Sequence, residues 1–420
     1  MTIFNLQVSN SGSRCLQNFK IMISYKIEDG EKMKKILKNF KNMDGTLLFW
    51  TMLMFLYGLF NIVTASSREA EVMYNVSLYY YFFRQLKMLF LGVIGSIFII
   101  NFDTKKYPFF SFLLYIFIFG ILVYMLFNGN ADRGSINWIN LPFIGRFQPS
   151  EAAKPISIVF FAFILDKLSN LVNLESKNRW KYIIILFIVM FILPGIIFFH
   201  NDMGTATILL GITGVMFLGG PVKKNDKLKA IILCVALVSL VGAIRYFTKG
   251  YVLTEEQLSR ITDFVKPCTK YTDGGYQACN DFIAINNGGL KGVGIGASKQ
   301  KYSYIPEPHT DSVFAIISEE YGLIFTSALL VVYFIIIRTI LKIAYDADNL
   351  MNKYMCLGCA AYIFLHILIN LGGLMGLMPM TGVPLPFLSY GGTFAISLMG
   401  MLAVVQRVAI ETKTNKKVKI

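Results

Sequence analysis

From residue 47 onward the chain alternates between long apolar blocks and short polar breaks. The apolar blocks run 47–65, 86–101, 108–127, 155–172, 182–199, 203–220, 228–246, 312–337, 354–378 and 389–408. Their lengths sit near the roughly 17–25 residues a helix needs to cross the hydrocarbon of a bilayer. The breaks are rich in Lys, Asn, Gly and Pro. A helix satisfies its own backbone hydrogen bonds in lipid, so it is the spanning element these blocks predict. A membrane barrel would show alternating segments of about ten residues, and the chain has none of that pattern. The expected fold is an all-α polytopic membrane protein with about ten transmembrane helices. The second block is short, and the fourth carries Asp166 and Lys167 near its end.

Charge then orients the bundle. Lys and Arg collect in short cytoplasmic loops. With the N-terminus inside, the inner breaks hold Lys105 and Lys106; Lys177, Arg179 and Lys181; Lys223, Lys224 and Lys227; and Arg338, Lys342 and Lys353. The outer breaks 200–202 and 379–388 hold neither Lys nor Arg. Both termini are therefore expected in the cytoplasm. Residues 1–46 read as a polar, Lys-rich cytoplasmic extension with affinity for anionic lipid. They contain no apolar core of a signal peptide, and Met33 and Met43 leave a later start open. Residues 47–408 form the membrane domain, and 409–420 a basic cytoplasmic tail. Composition agrees: 55% of residues are hydrophobic and 15% charged, against about 25% charged in soluble proteins. The net charge of +15 belongs to membrane topology, and no nucleic-acid partner is expected.

Candidate chemistry gathers in two long outer segments, 128–154 and the loop 247–311. The first contains Trp138 and the run Gln148-Pro149-Ser150-Glu151. The second contains Gly288, Gly289, Gly292, Gly294 and Gly296, then Lys299-Gln300-Lys301-Tyr302 and Pro306-Glu307-Pro308-His309-Thr310-Asp311. Gly292, Gly294 and Gly296 loosely mimic a nucleotide loop, but no strand precedes them. A backbone turning tightly beside a substrate accounts for them better. Ionisable residues at membrane depth are functional candidates by default. Glu151 and Lys154, three apart, can pair on one helix face. Asp311 enters the eighth span, where a plain helix cap is the competing reading. Glu319 and Glu320 can pair within the bundle, and His366 reads as a packed, hydrogen-bonded histidine. Three scattered His residues, His200, His309 and His366, do not support a His-rich metal site. Cys356-x-x-Cys359 lies inside an apolar span and reads as packing. Cys268 and Cys279 share the outer loop and are the candidate disulfide, although sequence does not fix their geometry. One outer carboxylate beside cations and Gly-rich backbone suits glycosyl transfer from a lipid pyrophosphate. No second carboxylate is evident for retaining glycoside hydrolysis.

Four separated motifs carry a resemblance. They are Trp138-Ile139 with Gln148-Pro149-Ser150-Glu151-Ala152-Ala153-Lys154; Asp202-Met203-Gly204-Thr205-Ala206; Gly275-Tyr276-Gln277 through Ser298-Lys299-Gln300-Lys301-Tyr302 to His309-Thr310-Asp311; and Pro379 through Gly382-Val383-Pro384-Leu385-Pro386-Phe387 to Ser389-Tyr390-Gly391-Gly392. Together they resemble the SEDS family of bacterial cell-wall polymerases, over about residues 47–408. The resemblance implies an inverting peptidoglycan glycosyltransferase that polymerises lipid II into glycan strands and releases undecaprenyl pyrophosphate. Asp311 would be the catalytic base. Glu151, Lys154, Gln148, Ser150, Trp138, Glu307, His309, Thr310 and Ser389 would line the substrate cavity, with Arg260 and Lys301 as pyrophosphate contacts on charge and position. A divalent cation, Mg or Mn, would assist, with ligands unassigned. Partners would be lipid II, nascent glycan, a class B penicillin-binding protein transpeptidase and other divisome proteins, at the cell membrane and its division septum. The Ser298–Tyr302 run is closer to the division (FtsW-like) members than to the elongation (RodA-like) ones. Three departures stand out: Ser312 replaces the usual aromatic after the Asp, His200-Asn201 replace Gln-Pro, and Asn137 replaces a basic residue.

Two other classes compete with the enzyme. Charged residues in a bundle also mark transport paths, so a lipid II flippase is the alternative. Against it stand the lack of an inverted repeat and of matched broken helices. A non-catalytic scaffold that recruits the transpeptidase is the third reading.

Overall fold

The computed structural model describes residues 34, 36–129, 136–141, 145–171, 178–220, 224–255, 258, 264, 268, 273–303, 305 and 308–418. Its helices are α1 Gly45–Ala65, α2 Tyr80–Asn101, α3 Tyr107–Asn128, α4 Pro149–Leu171, α5 Asn178–Phe199, α6 Met203–Leu218, α7 Lys224–Lys249, α8 Asp273–Gly288, α9 Gln300–Ser303, α10 Val313–Asp346, α11 Leu350–Leu374 and α12 Gly392–Val418. Strands β1 Ile139–Leu141 and β2 Gly145–Phe147 pair as a small antiparallel hairpin. A helix stands over every apolar block read from the sequence. Seven, α1, α2, α3, α7, α10, α11 and α12, are long and apolar enough to cross a bilayer. The apolar part of α5, Ile183–Phe199, and α6 are shorter, and α4 carries Glu151, Lys154, Asp166 and Lys167.

Several boundaries move for physical reasons. α2 begins at Tyr80, because the aromatic residues Tyr80–Phe83 extend the short block at its start. α12 continues to Val418, so the segment read as a tail is mostly helix. Arg407 on α12 binds Asp103 and also Glu411 at 2.9 Å. Glu411 in turn accepts from the Thr104 hydroxyl at 2.6 Å. The segment read as an N-terminal extension also contributes structure. Residues 36–42 are helical, Asn39 donates to Asn101 at 2.9 Å, and Lys413 donates to the Met43 carbonyl at 2.8 Å. Polar side chains thus close one end of the bundle.

The core is centred on α11, which packs on α4, α6, α10 and α12. Gly358 allows the approach: a Cβ there would meet Ile158 at 2.5 Å and Met216 at 2.7 Å. α7 is the contrast, with Leu228, Ile232, Val235 and Val238 all exposed, as suits a helix bathed in lipid.

α10 is a broken helix. At Gly322 the backbone turns to φ +78°, ψ 178°, which a side-chain-bearing residue rarely adopts. The freed backbone groups are met by the Gly-rich run of the long loop. Val293 N–H donates to the Glu319 carbonyl at 2.9 Å and Gly294 to that of Glu320 at 3.1 Å. In return Leu323 N–H donates to the Gly289 carbonyl at 2.9 Å. A Cβ on Gly288 would lie 1.9 Å from the Ser318 oxygen, and one on Gly292 2.2 Å from that of Glu320. These two glycines therefore serve close approach to α10 and not to a substrate.

The long loop is structured where described. It contains α8, which packs along α10, and a disulfide joins Cys268 to Cys279, Cα atoms 5.1 Å apart. Cys356 and Cys359 are free and buried within α11, as packing residues.

Candidate active site

Asp311 stands at the other end of the bundle, in the turn leading into α10. It is not the cap: α10 begins at Val313 with Ser312 at the N-cap position. Its Oδ1 accepts from the Thr310 hydroxyl at 2.9 Å, and its main-chain oxygen accepts from Asn370 Nδ2 at 2.8 Å. The same amide donates to the Val383 carbonyl at 2.8 Å. Gly382 passes so near that a Cβ there would lie 3.7 Å from Asp311 Oδ2. Asp311 is half-buried and enters no ion pair among the described residues. α11 therefore pins both the turn before α10 and the 379–391 connection, leaving the carboxylate open.

One helical turn before Asn370, His366 belongs to a second cluster. Lys154 Nζ lies 2.8 Å from Glu151 Oε1 and 3.1 Å from His366 Nε2. His366 Nδ1 lies 3.1 Å from the Pro384 carbonyl, an acceptor only. The proton therefore sits on Nδ1, and Nε2 accepts from Lys154. All three side chains are buried, and the ammonium lies over the rings of Tyr362 and Phe394. Gln148 ties this region to its neighbours: its N–H donates to Thr393 at 3.2 Å and its Nε2 to Asp202 at 3.2 Å. Asp202 caps α6 by accepting from Thr205 N–H at 3.0 Å. Ser150 is buried beside Glu151, its hydroxyl unpartnered among the described residues.

His309 is held by groups that the sequence reading did not single out. Its Nδ1 lies 3.1 Å from Glu69 Oε2, and Glu69 Oε1 accepts from the Tyr81 hydroxyl at 3.0 Å. The imidazole packs between Tyr81 and Tyr390, ring centroids at 4.6 and 5.2 Å. Trp138 is exposed beside the hairpin, with the Arg146 guanidinium over its ring.

Two expected contacts are reassigned. Lys301 is buried and paired with Glu320 at 2.6 Å, so its charge is already met and a structural ion pair replaces the pyrophosphate contact. Ser389 is buried, and its hydroxyl accepts from Leu385 N–H at 2.7 Å, closing a turn rather than facing a cavity. Glu319 accepts from the Ser298 hydroxyl and from the N–H groups of Lys299 and Gln300 at 3.3 and 3.2 Å. It thereby anchors the start of α9. Arg260 and Glu307 lie outside the described residues.

A second carboxyl, missed in the sequence, stands near Asp311. Asp281 on α8 is fully buried and its Oδ2 accepts from Ser312 at 3.1 Å. The available signal was its spacing: Gln277, Asp281, Ala284 and Gly288 follow one helical face. Among the described residues no three His, Cys, Asp or Glu side chains converge on a metal position.

The four motifs, scattered over 255 residues of chain (138–392), thus meet at one end of a helical membrane bundle around a partly open carboxylate. The chain belongs to the FtsW, RodA and SpoVE family of cell cycle proteins, whose family model matches residues 45–414. Among its relatives is stage V sporulation protein E of Bacillus subtilis, 34% identical over 376 residues, covering 87% of this chain and 97% of the relative. The Bacillus subtilis protein named "Probable peptidoglycan glycosyltransferase FtsW" is 30% identical over 397 residues, covering 92% and 95%. The fold matches a chain of a peptidoglycan synthase complex, at TM-score 0.67 and 22% identity, covering 88% and 98%. It also matches the rod shape determining protein RodA of Thermus thermophilus, at TM-score 0.61 and 20% identity, covering 87% and 96%.

Proposed function

We propose that this multi-pass membrane protein is a peptidoglycan glycosyltransferase that polymerises lipid II at the outer face of the cytoplasmic membrane, with Asp311 as general base. The observation that carries this reading is the setting of Asp311. Glu151, Lys154, Lys301, Glu319 and Glu320 are all buried and partnered, whereas the Asp311 carboxylate is half-open at the rim of the bundle. Among the described residues its side-chain partner is the neutral Thr310 hydroxyl. In the reaction, Asp311 takes the proton of the acceptor sugar hydroxyl. That oxygen bonds to the anomeric carbon of the donor, the bond from that carbon to the pyrophosphate oxygen breaks, and undecaprenyl pyrophosphate leaves. A single displacement of this kind inverts the anomeric centre. Thr310 orients the carboxylate, and Asn370 holds the turn that carries it. A bound divalent cation would neutralise leaving-group charge. No step here depends on it.

Ten crossings with both termini cytoplasmic complete the reading. They are supported by a helix over each apolar block and by Lys105, Lys106, Lys413, Lys416 and Lys417 at the end opposite Asp311. Relatives named FtsW favour a division role at the septum, with a class B penicillin-binding protein as transpeptidase partner.

Purified protein, alone and with that partner, is assayed with labelled lipid II in detergent. Wild type is expected to build glycan chains, and Asp311→Asn to lose roughly 10²-fold or more in rate while eluting as a folded monodisperse particle. Polymerisation that survives Asp311→Asn would refute the mechanism. The break in α10 keeps the flippase in play, and lipid II translocation in sealed vesicles that ignores Asp311→Asn would favour it.

A further inference from the structure

α8 carries a carboxyl that the reaction above does not use. Asp281 lies one helical turn after Gln277 and has no exposed surface. Gln277 Nε2 donates to the Ser312 hydroxyl at 3.0 Å, and that hydroxyl donates to Asp281 Oδ2 at 3.1 Å. Asp281 Oδ1 has no partner among the described residues. Ser312 adjoins Asp311 in the chain, so a short polar thread runs from α8 to the backbone of the proposed base.

Among the described residues, the groups around Asp281 include no cation to offset a charge. From the start of α10 it faces Asp311 and Ser312. Further along α10, Glu319 is occupied by Ser298 and Asn287, and Glu320 by Lys301 of α9. α11 contributes Asn370, a neutral amide donating to the Asp311 and Val383 carbonyls. A buried carboxyl without a cation keeps its proton. Burial first, and then the charge of Asp311, hold Asp281 well above the usual carboxylate range.

We propose that Asp281 and Asp311 form a carboxyl pair in which only Asp311 carries charge, with Asp281 a positioning residue that acts through Ser312 and limits the site to one negative charge. This rests on Asp311 being the base. A second negative charge would repel the pyrophosphate of the donor. The pair also accounts for Ser312 in place of an aromatic: a buried hydroxyl requires an acceptor, and Asp281 supplies it.

Infrared difference titration of the full chain in detergent tests the pair without any turnover. At pH 7 the carbonyl stretch of an un-ionised carboxyl is expected, removed by Asp281→Asn and retained in Asp281→Glu. In Asp311→Asn the same band should titrate lower, because the neighbouring like charge is gone. A missing band at pH 7, or a midpoint that Asp311→Asn leaves in place, overturns the pair. Were Asp311→Asn to move the midpoint yet still polymerise lipid II, the pair would stand and the base assignment would fall. In the polymerisation assay the wild-type rate should fall on the alkaline side at the infrared midpoint, and the Asp281→Asn profile should lack that fall. A purely structural role would lower the rate alike at every pH, and that outcome also counts against the proposal.

Discussion

At the residue scale, the bundle holds ionisable groups in two different ways. Glu151, Lys154 and His366 form a closed set: the ammonium meets a carboxylate and an imidazole, and the imidazole is fixed by the Pro384 carbonyl. Removing one partner leaves the other charge buried, so Lys154→Met should cost roughly 3–5 kcal/mol. The double variant Glu151→Gln/Lys154→Met should be milder than Lys154→Met alone. Thermal melts in detergent read both, and equal losses would mean that the pair is not coupled. Asp281 is the second kind, a buried carboxyl with no cation against it among the described residues. Its folded form holds the proton more tightly than the unfolded chain does, so its contribution to stability is fullest in acid. It is lost as pH rises from the ordinary carboxylate value, about 4, through the raised one. Asp281→Asn should flatten that fall above the ordinary carboxylate value, as read by melting temperature against pH.

At the element scale, the break in α10 and the glycine run of the loop are one construction. Each leaves backbone groups that the other satisfies, and neither is complete alone. Gly322→Ala would place a Cβ 2.4 Å from Gly292 N and 2.5 Å from the Leu290 oxygen, on a backbone at φ +78°. A loss of about 1–3 kcal/mol is expected, with detachment of α8 and α9 from α10. Gly95→Ala, where a Cβ meets nothing within 4 Å, should change stability by about 0.5 kcal/mol or less. Melting curves and protease resistance of the loop would distinguish the two. The disulfide adds to the same construction from the far end of the loop.

At the scale of the whole molecule, the two ends of the bundle differ in chemistry. One end is closed by Arg407, Asp103, Glu411 and a set of lysines. The other gathers Asp311, Asp281, His309 and Glu69 under the two connections 273–312 and 375–391. In the proposed orientation the second end faces outward. After mild reduction, an impermeant thiol reagent should therefore label Cys268 and Cys279 in intact cells, while buried Cys356 and Cys359 stay unlabelled. Labelling of the loop cysteines only in inverted vesicles would reverse the bundle.

Periodicity and length in the sequence were enough to place a helix over every apolar block, because lipid leaves the backbone few other choices. Motif residues such as Asp311 and the Glu151–Lys154 pair were also legible, being charges at apolar depth. Tertiary structure alone decided which charges are spent. Lys301 and Ser389 read as substrate contacts, but folding buries both, Lys301 against Glu320 of α10 and Ser389 in a turn with Leu385. The glycines at 288–296 read as a substrate loop, yet Gly288 and Gly292 serve the close approach to the broken helix. Asp281 and Glu69 gave almost no local signal, since their importance comes from what α10 and α2 bring to them. Composition, helix positions and candidate chemistry are local properties that a sequence carries directly. Whether a buried charge is paired, neutral or open depends on neighbours set by packing, and only the folded bundle assigns those.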